Sequence, residues 1–466
     1  MSLFGNLKSF SSNIAVIDEN SNRYTYGDLL KNTNYINKNF NSRDTIFLVS
    51  ENSYEFLCCY VALVINKSVI YLIEKTLKEK KLNNLINIYK PNYILSPIKI
   101  PFKNAKEILN LNNRYNLFKT NFKNNYKVYK DLAVLLSTSG STGSPKFVKL
   151  SYLNLIDNTR KISNYLKIKS KHKVITTMQP SYSYGLSILN SHLIKGASII
   201  MTDKTLFEKS FWNLIIKHKA TTFGGVPFIF KILKRINFEN MKLPSLEYLT
   251  QAGGKLELNV LKEIIQMFKR KNLKLIIMYG QTEASPRMSY LPWKYLLKKM
   301  ESIGKPLKGG KFFIYDKNKK IIDKNNAIGE LAYKGKNVMI GYAENFKELH
   351  NTKKDNLLFT GDLAYRDKDG FYYIVGRKSR FIKLFGLRYS LDDIEKEINK
   401  YFNDCAVIGT DDSLKIFIIK NCKHDNLYEF LFKNFKIRKS VLSIEKISKI
   451  PRNKSGKIIY SQLNHV

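Results

Sequence analysis

Short apolar runs alternate with amphipathic stretches along most of the chain, and this rhythm limits the fold more than any other feature. Residues 14–17, 23–26, 45–49 and 68–73 read as strands, and 26–40 and 55–65 as helices. The pattern returns with strands at 174–177, 197–201, 246–250 and 273–278 and helices at 184–193, 211–218, 228–236 and 259–271. Near-continuous apolar strands separated by helices indicate an α/β sheet with parallel segments, buried on both faces. Residues 77–130 are rich in Lys and Asn, and only short elements joined by loops are expected there. From Ile303 the texture changes. Runs at 312–315, 328–334 and 371–375 are separated by Gly, Asn and Asp turns, and Asp369-Gly370 is a hairpin signal. A small antiparallel β subdomain is expected over about 303–376. Beyond it lies a compact α+β segment: helices 391–402 and 427–435, strands 405–408 and 415–419. The expected domains are therefore 1–378 and 379–466, the second of ordinary domain size.

One loop stands out against this frame. Ser137-Thr-Ser-Gly-Ser-Thr-Gly-Ser-Pro-Lys146 lies between two strand-like runs, Leu132-Ala-Val-Leu-Leu136 and Phe147-Val-Lys-Leu150. Gly140 and Gly143 let the backbone turn its N–H groups inward. Thr138, Ser139, Ser141 and Thr142 offer hydroxyls, and Lys146 a positive charge, so the loop could cradle a polyphosphate. It is not a Walker A loop: the Gly-Lys-Ser/Thr spacing is absent and a strand follows. A Gly/Ser loop taken alone is more often a flexible turn. Further motifs follow in order: Tyr279-Gly-Gln-Thr-Glu283 at a strand end, Thr360-Gly-Asp362, Gly376-Arg377, and Pro451-Arg-Asn-Lys-Ser-Gly-Lys457.

The set resembles the adenylate-forming superfamily: acyl-CoA synthetases, adenylation domains of peptide synthetases, and luciferases. The resemblance covers nearly the whole chain. It implies ATP-dependent activation of a carboxylic acid to acyl-AMP with loss of pyrophosphate. Acyl transfer to a thiol follows, either coenzyme A or the phosphopantetheine of an acyl carrier protein. ATP and Mg²⁺ are the implied cofactors. By the same resemblance Thr282 binds the α-phosphate and Glu283 the metal, Tyr279 with Gly280 lies along the adenine, and Gly253-Gly254 turns beside the nucleotide. Asp362 takes the ribose hydroxyls, with Arg377 reaching the same sugar. Lys457, in a chain full of lysines, is the one that bridges the substrate carboxylate and the α-phosphate. A mobile C-terminal domain would deliver and withdraw it, with a hinge at Ser379, and Lys383 and Gly386 would approach in the thioester-forming step. Each has an ordinary alternative: a turn aspartate, a solvated arginine, a core tyrosine, a frayed terminal lysine.

The acid pocket is less readable. Tyr182, in Pro180-Ser-Tyr-Ser-Tyr-Gly185, occupies the place of an aromatic or histidine in relatives, and Gly185, Gly224, Gly225 and Pro227 would shape the walls. No aspartate stands nearby to hold an amino group, so a small acid with an uncharged tail is expected. A stand-alone amino-acid adenylating protein is the alternative. A non-catalytic anion or nucleic-acid binder is a third reading, disfavoured by the coexistence of Lys146, Glu283, Asp362 and Lys457. The formal charge of +41 is extreme. Lys, Asn, Ile and Tyr are enriched everywhere, so the charge reads as compositional drift rather than a nucleic-acid patch. Cys58, Cys59, Cys405 and Cys422 show neither zinc nor disulfide spacing, and no leader or membrane-spanning run is visible. A cytoplasmic enzyme is expected.

Overall fold

The computed structural model describes every residue except 1, 101, 112–113, 123–125, 138–145, 353–354, 385–386, 402–403, 411–412, 420–424, 454–455 and 464–466. The described chain divides into two compact units, Met1–Lys311 with Tyr333–Leu358, and Phe312–Ala332 with Phe359–Val466. The boundary expected near Ser379 falls inside the second unit.

The first unit contains two sheets. In one, parallel strands Ser198–Ile200, Lys173–Ile175, Thr222–Gly225, Tyr248–Gln251 and Lys274–Gly280 lie side by side. Ile14–Ile17 adds a further parallel strand at one end, and Arg287–Leu291 turns antiparallel at the other. In the second sheet Tyr93–Ser96, Thr45–Ser50, Val69–Glu74 and Leu132–Ser137 are parallel, and Phe147–Ser151 returns antiparallel. Helix Tyr54–Ile65 is apolar all round and almost wholly buried, as a helix packed on several sides must be. Helices Tyr152–Tyr165 and Ser183–Leu193 pack on each other. Ser151 caps the first: its hydroxyl takes the Asn154 N–H, and the Asn154 side chain returns the bond to the Ser151 N–H.

The Lys- and Asn-rich stretch contains more order than expected. Helix Glu79–Tyr89 buries Leu82, Ile86 and Tyr89 against Phe47, Val49, Tyr71 and Phe147, and the antiparallel pair Ala105–Leu111 and Tyr115–Thr120 extends the second sheet. An amphipathic stripe at i, i+4 and i+7 suffices to seat that helix.

The second unit holds the antiparallel strands Leu357–Arg366 and Tyr372–Arg377, joined by the expected Asp369-Gly370 turn. It also holds a three-stranded sheet, Cys405–Thr410, Ser413–Ile419 and Leu442–Ile447. Helices Leu391–Tyr401 and Asp425–Phe435 cover one face through Ile394, Ile398, Leu427 and Leu431. Alternation along Ser413–Ile419 sends Leu414, Ile416 and Ile418 to that face and Phe417 to the other, where Ile450 and Leu463 pack. The C-terminal segment is thereby tied down. The fold is mixed α/β with a small C-terminal α+β region. No described helix is long and apolar enough to cross a membrane.

Candidate active site

In the first unit, three separate segments meet at the end of the parallel strand Lys274–Gly280. The strand carries Tyr279 and Gly280 at its end and hands over to Thr282–Ala284, a single 3-10 turn. Gly280 is required by space, because a Cβ there would lie 1.9 Å from the Pro286 carbonyl oxygen. Thr282 Oγ1 is 3.1 Å from Ser183 Oγ at the start of helix Ser183–Leu193. Glu283 Oε1 accepts a 2.9 Å hydrogen bond from the Tyr342 hydroxyl. Burial, and then the Glu283 carboxylate, push the Tyr342 phenol upward, so it stays protonated and donates. The Lys146 ammonium sits 3.8 Å from the centre of the same Tyr342 ring. The short strand Tyr342–Ala343 pairs with Val148 and Phe147, which is why Tyr342 lies beside Lys146. A cation suited to phosphate and a carboxylate suited to metal thus share one tyrosine. Thr138, Ser139, Gly140, Ser141, Thr142 and Gly143 lie outside the described residues.

Gly253 turns with φ of +87°, and a Cβ there would stand 2.8 Å from the Tyr182 hydroxyl. Gly254 lies against the Pro227 ring. Along helix Ser183–Leu193 lies a narrow cavity of about 20 Å³, room for about one water. Its lining includes Gly224, Tyr184, Ser187, Ser191, His192 and Arg287. Of the expected pocket residues only Gly224 belongs to the wall. Tyr182 and Gly185 begin the helix that supplies it, while Gly225 and Pro227 lead out of an adjacent strand.

Sequence reasoning passed over Tyr184, His192 and Arg287. One signal was available: Ser183, Ser187 and Ser191 recur every four residues, a polar stripe on one face of an otherwise apolar helix. His192 Nδ1 lies 2.8 Å from the Ile188 carbonyl oxygen and donates to it, and burial lowers the imidazole to about 4. The ring is therefore neutral at ordinary pH, with Nε2 a buried acceptor that has no partner among the described residues.

The second unit collects the other expected residues. Asp362 lies within strand Leu357–Arg366, not in a turn after one, and is buried. It is paired in register with Arg377, whose Nε is 2.7 Å from Asp362 Oδ1. Lys457 belongs to a tight reversal. Its N–H donates to Asn453 Oδ1 at 3.0 Å, its carbonyl accepts from the Asn453 N–H at 2.8 Å, and Arg452 and Ile458 bridge the two arms. Desolvation lowers the Lys457 ammonium below the usual lysine range, Arg377 lowers it further and Asp362 opposes, so these three charges lie within reach of one another. The segment is pinned by Arg380, which bonds Asp392 at 2.6 Å and Glu395 at 3.0 Å and stacks 3.9 Å from the Tyr460 ring centre. The Tyr460 hydroxyl donates to Glu395 at 2.8 Å. Ser379 lies in the short 3-10 turn Lys378–Arg380 and Lys383 in strand Phe381–Leu384, while Gly386 is outside the described residues.

The chain as a whole has relatives among known proteins. The model of the AMP-binding enzyme family matches residues 4–343. An oxalate–CoA ligase of Saccharomyces cerevisiae is 25% identical over 522 residues, covering 98% of this chain and 95% of that protein. A long-chain-fatty-acid–CoA ligase of Bacillus subtilis is 29% identical over 72% of this chain and 61% of its own length. Among solved structures, o-succinylbenzoate CoA synthetase from Bacillus subtilis, in complex with its acyl-adenylate intermediate, shares the fold with a TM-score of 0.80. It is 20% identical, with 98% of this chain and 97% of that chain covered. On the family model's match to residues 4–343, the chain belongs to the AMP-binding enzymes.

Proposed function

We propose that the protein is an AMP-forming acid–thiol ligase that makes an acyl adenylate from ATP and a small carboxylic acid and passes the acyl group to coenzyme A. The observation that carries this reading is the meeting of Lys146, Thr282 and Glu283 around Ser183 and Tyr342. Lys146 offsets phosphate charge. Thr282, oriented by Ser183, donates to the α-phosphate. Tyr279 packs along the adenine. Glu283, with one oxygen engaged by Tyr342, would offer its carboxylate to a Mg²⁺ that takes most of its remaining ligands from phosphate and water. That ion, when bound, screens the triphosphate and favours departure of pyrophosphate.

Asp362 accepts from the ribose hydroxyls while Arg377 holds its carboxylate in place. Lys457 places a positive charge where the acid oxygen attacks phosphorus, and so offsets charge that grows in the transition state. Its withdrawal before the thiol enters, with Lys383 approaching instead, is part of the same proposal. Coenzyme A is the acceptor favoured by the relatives' chemistry, and a carrier-protein phosphopantetheine is the alternative. We place the reaction in the cytoplasm, in keeping with the buried Cys58 and Cys405, which form no disulfide among the described residues.

The test is acid-dependent ATP–pyrophosphate exchange over fatty, hydroxy, aryl, dicarboxylic and amino acids, followed by thioester formation with coenzyme A or a loaded carrier protein. One acid class should drive exchange, and Lys457→Ala should lower it about 10²–10³-fold. Exchange that ignores Lys457→Ala, or ATP binding with no exchange for any acid, would contradict the reading.

A further inference from the structure

The cavity along helix Ser183–Leu193 is lined by a cation with no described counter-charge. Arg287 is 2% exposed, among the most buried large side chains of the described chain. Among the described residues neither its Nε nor its Nη2 has a hydrogen-bond partner, and no described carboxylate forms an ion pair with it. The Tyr165 side chain hydrogen-bonds it and the face of the Tyr184 ring lies 4.9 Å away, but neither is a counter-charge. A guanidinium cannot shed its proton to escape burial, so its cost must be met by a partner. The other deeply buried cation shows what a satisfied one looks like. Lys149 donates to the carbonyl oxygens of Glu348 and Asn351, each at 2.6 Å. The Arg287 backbone is also fixed: its N–H donates to Asn158 Oδ1 at 3.2 Å, and its carbonyl accepts from Asn158 and Asn337. The side chain is thus rooted in a rigid strand and lines an enclosed space.

We infer that the acid activated here carries a second negatively charged group, most simply a second carboxylate, and that Arg287 is its partner. The inference rests on the adenylation reading and deepens it. Ser183, beside Thr282, marks the reacting end, and the cavity-lining Ser187 and Ser191 follow four and eight residues on, about 6 and 12 Å along the helix. Arg287 would also repel an α-ammonium, which counts against an amino-acid substrate. The uncharged tail expected from sequence follows only if this arginine is overlooked. The relatives do not decide the matter, since their names span oxalate and long-chain fatty acids.

The experiment pairs each of several short linear and aryl dicarboxylic acids with its monomethyl ester in the pyrophosphate exchange assay, using the full chain, Arg287→Gln and Arg287→Lys. The best diacid should exceed its half-ester by about 100-fold or more in kcat/KM, because the ester leaves a buried charge unpaired. Arg287→Gln should erase that ratio with the melting temperature kept within a few degrees, and Arg287→Lys should recover part of it. A half-ester used as well as its diacid, or an Arg287→Gln variant that loses both alike, would overturn the inference. Exchange driven only by monocarboxylic acids would sink the second charge and leave adenylation standing. No exchange with any acid, with or without Lys457→Ala, would remove both.

Discussion

Two arginines show how differently the two units treat charge. Arg377 keeps half of its side chain in water and lies against a buried carboxylate, Asp362. Such a pair needs nothing further from a ligand to be stable. The exposed cation is cheap, and the aspartate gains a partner for its burial. Arg287 is the reverse, almost fully buried with no described carboxylate beside it. An interior charge of that kind weakens the ligand-free protein and is retained where something else binds to it. On the proposed reading the contrast divides the labour: the second unit would offer a satisfied pair that a neutral sugar can share, and the first an unmet charge that selects an anion.

The comparison can be broken from either side. The largest effect should come from Arg287→Met, which fills similar volume without charge. It should stabilise the ligand-free first unit by about 1–4 kcal/mol, read as a melting temperature a few degrees higher, while use of a diacid is lost. A lower melting temperature would mean that the arginine is structural. Asp362→Asn removes a charged acceptor yet leaves Arg377 in solvent. The KM for ATP should rise about 10–100-fold, with little change in thermal stability. His192 sharpens the point, because a histidine can do what an arginine cannot and give up its proton on burial. Its folded value of about 4 lies below the ordinary 6.5. The unfolded chain therefore binds the extra proton between those values, and stability falls as pH drops from about 6.5 toward 4. The loss at pH 5 should be about 2 kcal/mol, and His192→Gln should flatten that part of the stability–pH curve. Smallest, Tyr342→Phe deletes one hydrogen bond to Glu283 and should raise the KM for ATP with magnesium about fivefold, leaving acid preference as it was.

Much of this was legible in the chain because apolar runs are short-range signals. Leu132–Ser137, Phe147–Ser151 and the Ser151 cap needed only neighbouring residues to be seen. Helix Glu79–Tyr89 was obscured by lysines that cover its outer face without disturbing its buried stripe. Asp362 looked like a turn residue because Thr-Gly-Asp resembles one, yet ladder pairing runs straight through it. The candidate site residues were read as a list of motifs, which names chemistry but not surroundings. Nothing around Arg287 in Arg287-Met-Ser-Tyr-Leu291 says that this arginine, among many basic residues, is placed in the interior. That fact arises only when Asn158 and Asn337, far away in sequence, fix its backbone under Tyr184.

The most direct measurement is a crossed set of initial rates of pyrophosphate exchange, with ATP and acid varied independently for the unsubstituted protein, Asp362→Asn and Arg287→Gln. The account predicts that the ATP dependence shifts in Asp362→Asn, and that the diacid-to-half-ester preference shifts in Arg287→Gln, each variant leaving the other dependence in place. If Arg287→Gln moved the ATP dependence and kept the acid preference, or if both variants moved both together, the division between a satisfied pair and a waiting charge would be wrong.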